Sequence, residues 1–219
     1  MVTPRYCGGV IVLLAVAGLG VGPKLPPEPT AILPAEPVWT KTLEAPPSAG
    51  GAMDEARVYV PLEAAGVRAF RRDTGEPVWS EPADTRWPLV VGGGLLYAAL
   101  PDELRAHDPA NGQMRWSYRL EAALTAALAW MGGRVIVLLE TGNVVALRDH
   151  DGQVAWTRAI GVPARYVPAA ISDTAIVLTL ADSRVVALDL ATGELQWERT
   201  FEGTLSPPAR GRDRGMLGS

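Results

Sequence analysis

One short frame occurs four times along the chain with the same three residues at fixed spacing. In each copy an Ala is followed six residues later by a Gly and ten residues later by a Trp. The clearest copy reads Val-Ala-Leu-Asp-Leu-Ala-Thr-Gly-Glu-Leu-Gln-Trp, at residues 186–197. The recurring residues are Ala69, Gly75 and Trp79; Ala106, Gly112 and Trp116; Ala146, Gly152 and Trp156; and Ala187, Gly193 and Trp197.

The four frames give the chain a regular period. Their Trp residues lie 37, 40 and 41 positions apart, and Trp39 lies 40 positions before the first of them. A period near 40 that combines short apolar runs with Gly-containing turns is typical of a propeller blade or a similar array.

Each period contains candidates for four short strands. Apolar runs precede the frames at residues 57–60, 95–100, 135–139 and 175–180, and polar or Gly-containing breaks follow them. Their length and their content of Val, Ile, Leu and Tyr favour strands over helices. The Ala then lies on the next strand and the Trp on the one after it. An opening strand has candidates at residues 88–91, 123–130 and 168–171. Four short strands in about 40 residues predict one antiparallel blade.

One stretch has a conflicting local signal. Residues 120–131 are rich in strong helix formers, with Leu at a spacing of four, and this composition alone indicates a helix. Their distance from Trp116 equals that of the opening strand in the other units. We therefore predict a strand at residues 123–130.

The residue types of the frame suit packing between blades. A Gly that ends a hairpin loop adopts positive φ at low cost, as a type I turn with a bulge requires. A Trp buries about 150–250 Å², and its indole N–H needs a partner such as a backbone carbonyl. We expect the Ala to leave room for such a ring on the facing sheet. The alternative, a platform of Trp rings that stacks a ligand, requires exposed rings and fits one ring per repeat less well.

Composition and charge argue against several kinds of partner and site. The chain has 219 residues, enough for one domain or part of a larger one, and a net charge of −4. It has no clustered Lys and Arg, which argues against nucleic acid as a partner. Its only cysteine is Cys7, so the body has neither an internal disulfide nor a thiolate metal site. His107 and His150 are interpreted as solvated turn residues.

The N-terminus has the features of an export signal. Arg5 precedes an apolar run at residues 10–21, a pattern typical of secretory signals and short for a membrane span. Residues 1–22 are therefore predicted to be a signal peptide or an uncleaved membrane anchor. Residues 23–37 contain six prolines and are predicted to be a semi-rigid linker. Together they indicate export to the periplasm or cell envelope.

The frame resembles a known repeat. Asp108 and Asp189 complete the pattern Ala-x-Asp-x-x-x-Gly-x-x-x-Trp in two copies, whereas Arg71 and Arg148 replace the Asp in the other two. This pattern is similar to the quinoprotein-type, or PQQ-like, β-propeller repeat, and the resemblance covers about residues 39–208. It implies an all-β propeller of four-stranded antiparallel blades.

The family contains both enzymes and non-catalytic proteins. The resemblance to its quinone-dependent dehydrogenases would imply bound PQQ, calcium and a catalytic Asp. No cysteine and no recognisable carboxylate cluster lies in the body of this chain, so we predict no catalytic, cofactor-binding or metal-binding residue. The chain is more similar to non-catalytic, BamB-like proteins that assist outer membrane protein assembly, and its blade-edge loops would bind envelope proteins. The alternatives are a fragment of a PQQ-dependent dehydrogenase and a ligand-sensing ectodomain on an N-terminal anchor.

The number of repeats predicts a partial propeller over residues 38–209. Propellers of this family usually have seven or eight blades, whereas four units are present here. Residues 37–43 resemble the closing strand of a further blade, and residues 201–209 begin another unit before a polar tail at 210–219. An open half-ring would expose two blade faces and favour self-association. A four-bladed ring and a pair of half-rings are the alternatives.

Overall fold

The chain forms an all-β structure of repeated sheets. The computed structural model describes residues 37–203 and 205–208, which contain four antiparallel four-stranded sheets whose strands are adjacent in chain order. The predicted fold of four-stranded blades is confirmed. The predicted signal or anchor, nearly all of the linker and the polar tail lie outside the described residues.

The sheets follow one another as four blades. Blade 1 contains β1 (Ala52–Met53), β2 (Arg57–Leu62), β3 (Gly66–Arg71) and β4 (Pro77–Glu81). Blade 2 contains β5 (Val90–Gly92), β6 (Leu95–Ala99), β7 (Glu103–His107) and β8 (Met114–Arg119). Blade 3 contains β9 (Ala129–Met131), β10 (Arg134–Leu138), β11 (Asn143–Arg148) and β12 (Val154–Ala159). Blade 4 contains β13 (Ala169–Ala170), β14 (Ala175–Thr179), β15 (Arg184–Asp189) and β16 (Leu195–Thr200).

The core lies between blades rather than inside one sheet. The second strand of a blade is buried on both faces, as Ile136 and Val137 of β10 show. A strand covered on both sides needs apolar side chains at successive positions, which explains the continuous apolar runs in the sequence. Each contact between neighbouring blades has its own cluster of buried apolar residues.

Two predicted elements differ from the structure. At residues 123–130 only the last two belong to a strand, because Leu124 and Leu128 turn into the core and Leu124 makes a single bridge to Leu139. Residues 37–43 form no strand, since no neighbouring strand among the described residues pairs with them. The described residues contain no helix that is long and apolar enough to cross a membrane.

The blades have two distinct ends. We call the end with the first-to-second and third-to-fourth strand turns the hairpin end; its turns are short. The opposite end, the connector end, has the second-to-third strand turns and the longer segments that join blades at residues 82–89, 120–128 and 160–168. Buried side chains such as Ala83, Leu124 and Ala164 attach these segments to the blade interfaces.

Candidate functional site

The repeat Trp of each of the first three blades lies against the repeat Gly of the next blade. A Cβ atom placed on Gly152 would be 2.5 Å from Cε3 of Trp116, so only Gly leaves space for the ring. The Trp116 indole N–H donates to the carbonyl of Asp149, 2.8 Å away in the same turn as Gly152. We call this arrangement a Trp seat. The other seats between blades pair Trp79 with Gly112 and Trp156 with Gly193, with N–H donation to Pro109 at 2.9 Å and to Leu190 at 3.0 Å.

The repeat Gly residues are also in the left-handed region of backbone conformation. Their φ angles are 70°, 76°, 70° and 73° at Gly75, Gly112, Gly152 and Gly193. Each Gly N–H donates to the carbonyl four residues earlier, and the strand register shifts directly after the repeat Ala. Gly is therefore required twice, by its φ and by the ring above it. The sequence reasoning identified the first requirement and missed the second.

The repeat Ala has a different place from the one expected. Ala69 pairs directly with Trp79 across the strands of one blade, and Ala106, Ala146 and Ala187 pair in the same way with Trp116, Trp156 and Trp197. The expectation that Ala makes room on the facing sheet is wrong, because the Trp ring packs against the repeat Gly of the facing blade and not against its repeat Ala. A fully buried Ala instead allows the Trp of its own blade to lie across it.

Two tyrosines that sequence reasoning missed support the seats. The ring centroid of Tyr59 lies 5.7 Å from that of Trp79, and Tyr97 lies 5.8 Å from Trp116. Tyr59 and Tyr97 each pair with the repeat Ala across the sheet. Tyr59 lies ten residues before Ala69 and Tyr97 nine residues before Ala106, so their equivalence depends on the length of the intervening turn and is clear only from the strand pairing.

A fourth seat is filled from outside the blades. The Trp39 indole lies against Gly75, where a Cβ would be 2.7 Å from Trp39 Cδ2, and its N–H donates to the Arg72 carbonyl at 2.8 Å. Trp39 therefore occupies the place of a preceding blade's Trp although residues 37–43 form no strand. Trp197 is the remaining repeat Trp, and no described residue provides a seat for it.

The motif aspartates close the turn that contains the seat. The Asp108 carboxylate accepts the Ala110 N–H at 2.7 Å, and the Asp189 carboxylate accepts the N–H groups of Ala191 and Thr192 at 2.9 Å each. The hydrogen bond from Ala110 lowers the pKa of Asp108, and that from Thr192 lowers the pKa of Asp189. Both carboxylates therefore remain ionised and stabilise the turn.

The two copies without the motif Asp have an Arg at that position, which pairs with an aspartate later in the turn. Arg71 donates to the Asp73 carboxylate at 3.1 and 2.7 Å, and Arg148 donates to that of Asp151 at 3.1 and 2.8 Å. These side-chain hydrogen bonds lower the pKa of each aspartate. In blade 2 the order is reversed, because Asp108 at the motif position pairs with Arg115 later in the chain.

The two histidines differ from each other. His150 is exposed between Asp149 and Asp151, in agreement with a solvated turn residue. His107 is buried, and its Nδ1 lies 2.9 Å from the Gly112 carbonyl, while its Nε2 has no partner among the described residues. The solvated interpretation is wrong for His107, because it ends β7 on the face that packs into the core.

Charged side chains lie at both ends of the blades. Arg148 is the last residue of β11 and lies at the hairpin end. Arg105 of β7 lies near the connector end, where its Nε–H donates to the Glu103 carboxylate at 2.7 Å. A cleft of about 710 Å³ at the hairpin end of blade 1 borders Arg71, Arg72 and Asp73. Across residues 37–203 and 205–208, no group of three His, Cys, Asp or Glu residues is placed to hold a metal ion.

This fold and its repeat define a β-propeller protein built from quinoprotein-type repeats. A family model described as "Outer membrane protein assembly factor BamB" matches residues 63–206, and the chain belongs to this family. The resemblance inferred from the sequence is thereby confirmed.

Individual relatives agree with the family model. BamB of Bordetella pertussis is 29% identical over 140 residues, which are 60% of this chain and 36% of that protein. BamB of Moranella endobia is 28% identical over 161 residues, which are 65% of this chain and 42% of that protein. The chain therefore spans less than half the length of these relatives.

Solved structures show the same fold at lower identity. BamB from Moraxella catarrhalis has a TM-score of 0.59 and 22% identity, over 69% of this chain and 48% of that one. Quinohemoprotein alcohol dehydrogenase ADHIIG from Pseudomonas putida HK5 has a TM-score of 0.60 and 17% identity, over 72% and 35%. The computationally designed Ika8 protein has a TM-score of 0.58 and 16% identity, over 72% and 50%. These likenesses concern the fold alone.

Proposed function

We propose that the chain is a non-catalytic interaction scaffold of the cell envelope that acts in outer membrane protein assembly. Its membership of the BamB family supports the process. The observation that carries the scaffold role is the use of the repeat Trp residues as seats between blades, which leaves the loops at the blade ends for contacts with partners.

The hairpin end is the surface we assign to the partner. Its turns are fixed by the Trp seats and by carboxylates that stay ionised, so it binds without first ordering its loops. Glu76, Asp173 and Glu194 add exposed carboxylates there, and no described side chain hydrogen-bonds to theirs. These exposed, negatively charged carboxylates are complementary to a basic patch on a protein partner.

A matched pair of charge reversals tests this assignment. One variant combines Glu76→Lys, Asp173→Lys and Glu194→Lys at the hairpin end. The control combines Glu63→Lys, Glu121→Lys and Glu140→Lys, which are exposed at the connector end and change the net charge equally. Each purified chain serves as bait for envelope extracts, and mass spectrometry quantifies the outer membrane assembly proteins recovered.

We expect the hairpin-end variant to lose these proteins and the control to recover them as well as the unaltered chain does. Loss with the control alone would place the partner at the connector end. Recovery of no assembly protein by the unaltered chain would contradict the proposed process.

The non-catalytic part of the proposal has a separate test. The purified chain is mixed with PQQ and calcium, and dye reduction in the presence of alcohols or glucose is followed together with quinone binding. We expect neither turnover nor stoichiometric binding. Dye reduction, or stoichiometric quinone binding, would favour a quinoprotein dehydrogenase fragment instead.

A further inference from the structure

Trp130 lies outside the repeat frame and has no counterpart of its size in the other blades. In strand register, its counterparts in blades 1, 2 and 4 are Met53, Val91 and Ala170. The Trp130 indole packs against Gly92 of blade 2, where a Cβ would be 2.6 Å from Cε3 and closer still to Cγ and Cδ2. The packing of neighbouring blades does not require a ring at this place, since Val91 and Ala170 hold it at the other two interfaces.

Asp149 departs from the repeat at the same interface between blades 2 and 3. Its backbone carbonyl accepts the indole N–H of a repeat Trp, as those of Pro109 and Leu190 do at the other two interfaces. Leu190 is 4% exposed and covers Gly132, with its Cδ2 2.6 Å from the place of a Cβ. Asp149 covers the equivalent Gly93 in the same way, with its Oδ2 in the space that a Cβ would need. A carboxylate thus stands where the next interface has a buried apolar side chain.

A hydrogen bond joins these two departures from the repeat. The Trp130 N–H donates to Asp149 Oδ2 at 3.0 Å, which fixes the ring and the carboxylate relative to each other. Trp130 is 37% exposed, and the open part of its ring is the part turned away from Gly92. The Asp149 side chain is 17% exposed. We call Trp130 and Asp149 the indole–carboxylate site. Positions at which a repeat breaks its own pattern without a packing reason are candidates for function.

The carboxylate of this site has no Lys or Arg partner in the part of the chain that the structure describes. There, the basic side chain within 4 Å of Asp149 is that of His150, whose Nδ1 lies 3.6 Å from Oδ1 and which is itself 70% exposed. Arg134 is near in sequence, but it donates to the Gly133 carbonyl at 3.2 Å. No Lys or Arg among the described residues lies over the Trp130 ring. The site therefore offers an open aromatic surface beside a carboxylate that is available to a cation.

We propose that the indole–carboxylate site binds an arginine side chain of a protein partner. A guanidinium stacks on an open indole surface through a cation–π contact and donates to the adjacent carboxylate in a charge-assisted hydrogen bond. Arg suits both contacts better than Lys, because its guanidinium is planar and weakly hydrated, whereas an ammonium is a strongly hydrated point charge. That the arginine belongs to a protein rests on the scaffold function proposed above; the binding of a guanidinium does not.

The test follows the indole N–H signals of the full chain by NMR, with nitrogen-15 in its seven Trp residues. Trp130→Phe identifies the Trp130 signal by its loss. The probe is N-acetylarginine amide, and we expect it to shift the Trp130 signal in a saturable way, with a dissociation constant of about 1–10 mM. N-acetyllysine amide should bind more weakly. The neutral N-acetylcitrulline amide should leave the signal unchanged.

Asp149→Asn separates ligand binding from a structural role of this residue. Asn keeps an oxygen that accepts the Trp130 N–H, and its backbone carbonyl still accepts the Trp116 N–H, so the ring stays in place without the charge. We expect the dissociation constant of the arginine probe to rise about tenfold. Glu140→Gln is the matched control, because it removes one exposed carboxylate at the connector end of the same blade and should leave binding unchanged.

Three results of the titration would overturn the guanidinium site. These are no saturable shift of the Trp130 signal, equal shifts with the arginine and citrulline probes, and an unchanged dissociation constant for Asp149→Asn. Far-UV circular dichroism verifies that each variant is folded. If Trp130→Phe does not fold, the indole signal that moves most in Asp149→Asn identifies Trp130, since its acceptor loses its charge.

A second measurement tests whether the arginine belongs to a protein partner. The unaltered chain, Asp149→Asn and Glu140→Gln serve as bait for envelope extracts, and mass spectrometry quantifies the outer membrane assembly proteins recovered. We expect Asp149→Asn to recover less of them than the other two baits. Equal recovery by all three would overturn the assignment of a protein partner to this site. Recovery by none would contradict the proposed function, while the titration decides the guanidinium site by itself.

Discussion

The indole of Trp156 in blade 3 lies against Gly193 in blade 4 and donates its N–H to the Leu190 carbonyl, 3.0 Å away in the same turn. A Cβ on Gly193 would be 2.5 Å from the ring. The position and the conformation of one blade's turn are thus both fixed by a side chain of the preceding blade. Blade stability should depend on the neighbouring blade, as in other repeat proteins.

Replacing the Gly of an internal Trp seat by Ala should lower the unfolding free energy by more than backbone strain alone accounts for. Gly152→Ala combines a positive φ with a Cβ that would lie 2.5 Å from Trp116 Cε3. Gly161→Ala has the same strain in open space. We expect the loss of unfolding free energy for Gly152→Ala to exceed that for Gly161→Ala by about 1–3 kcal/mol. Urea unfolding followed by Trp fluorescence measures both, and equal losses would show that the ring tolerates the methyl group.

The loss of unfolding free energy on removing a repeat Trp should depend on whether its ring packs in a Trp seat of the next blade. Trp116→Ala removes a buried ring and leaves the Asp149 carbonyl without its N–H donor, so we expect a loss of about 3–5 kcal/mol. Trp197→Ala should cost about 1 kcal/mol or less, because the Trp197 ring is 37% exposed. Similar losses for the two variants would mean that Trp197 is seated by residues outside the described part of the chain.

The motif aspartates predict how stability changes in acid. The pKa values of Asp108 and Asp189 are lowered in the folded state, chiefly by N–H donation from Ala110 and Thr192. A carboxyl with a lowered folded pKa stabilises the fold above its unfolded pKa, near 3.8, and loses that contribution as pH falls through the folded value. Stability should therefore be constant above about pH 5 and decrease below about pH 4.

The control for this pH dependence is Asp108→Asn combined with Asp189→Asn. Asn retains an oxygen that accepts the turn N–H groups but does not titrate. The difference in urea midpoint between the unaltered chain and this variant should be largest near neutral pH and should vanish in acid. A difference that stays constant from pH 7 to pH 2.5 would exclude these carboxylates as its source.

Much of the architecture was predictable because the repeat occurs four times. The spacing of Ala, Gly and Trp identified the strand order, the turns and the burial of the Trp116 and Trp156 indoles, since each property depends on local sequence and on a fixed period. Residues 120–131 show both the value and the limit of the period: they form no helix despite their composition, because they pack against neighbouring blades, but the predicted strand at 123–130 begins only at Ala129.

The parts that were missed depend on contacts between blades. The Gly beneath each Trp belongs to a different repeat, so no spacing within one frame reveals the seat. The role assigned to Ala was wrong for the same reason: its partner proved to be the Trp of its own blade. The environment of His107 depended on which face of β7 packs inward, and a single polar residue does not indicate that face.

His107 provides a test in which removing a polar residue should not harm the fold. The equivalent positions in blades 3 and 4 are Leu147 and Leu188, both fully buried. His107→Leu loses the bond to the Gly112 carbonyl, about 1 kcal/mol, but removes a buried Nε2 without a described partner, which costs about 1–3 kcal/mol. We expect unfolding free energy to be unchanged or to rise by up to about 2 kcal/mol. The reciprocal change, Leu147→His, should be clearly destabilising in the same urea assay, and a large loss for His107→Leu would indicate that Nε2 has a partner outside residues 37–203 and 205–208.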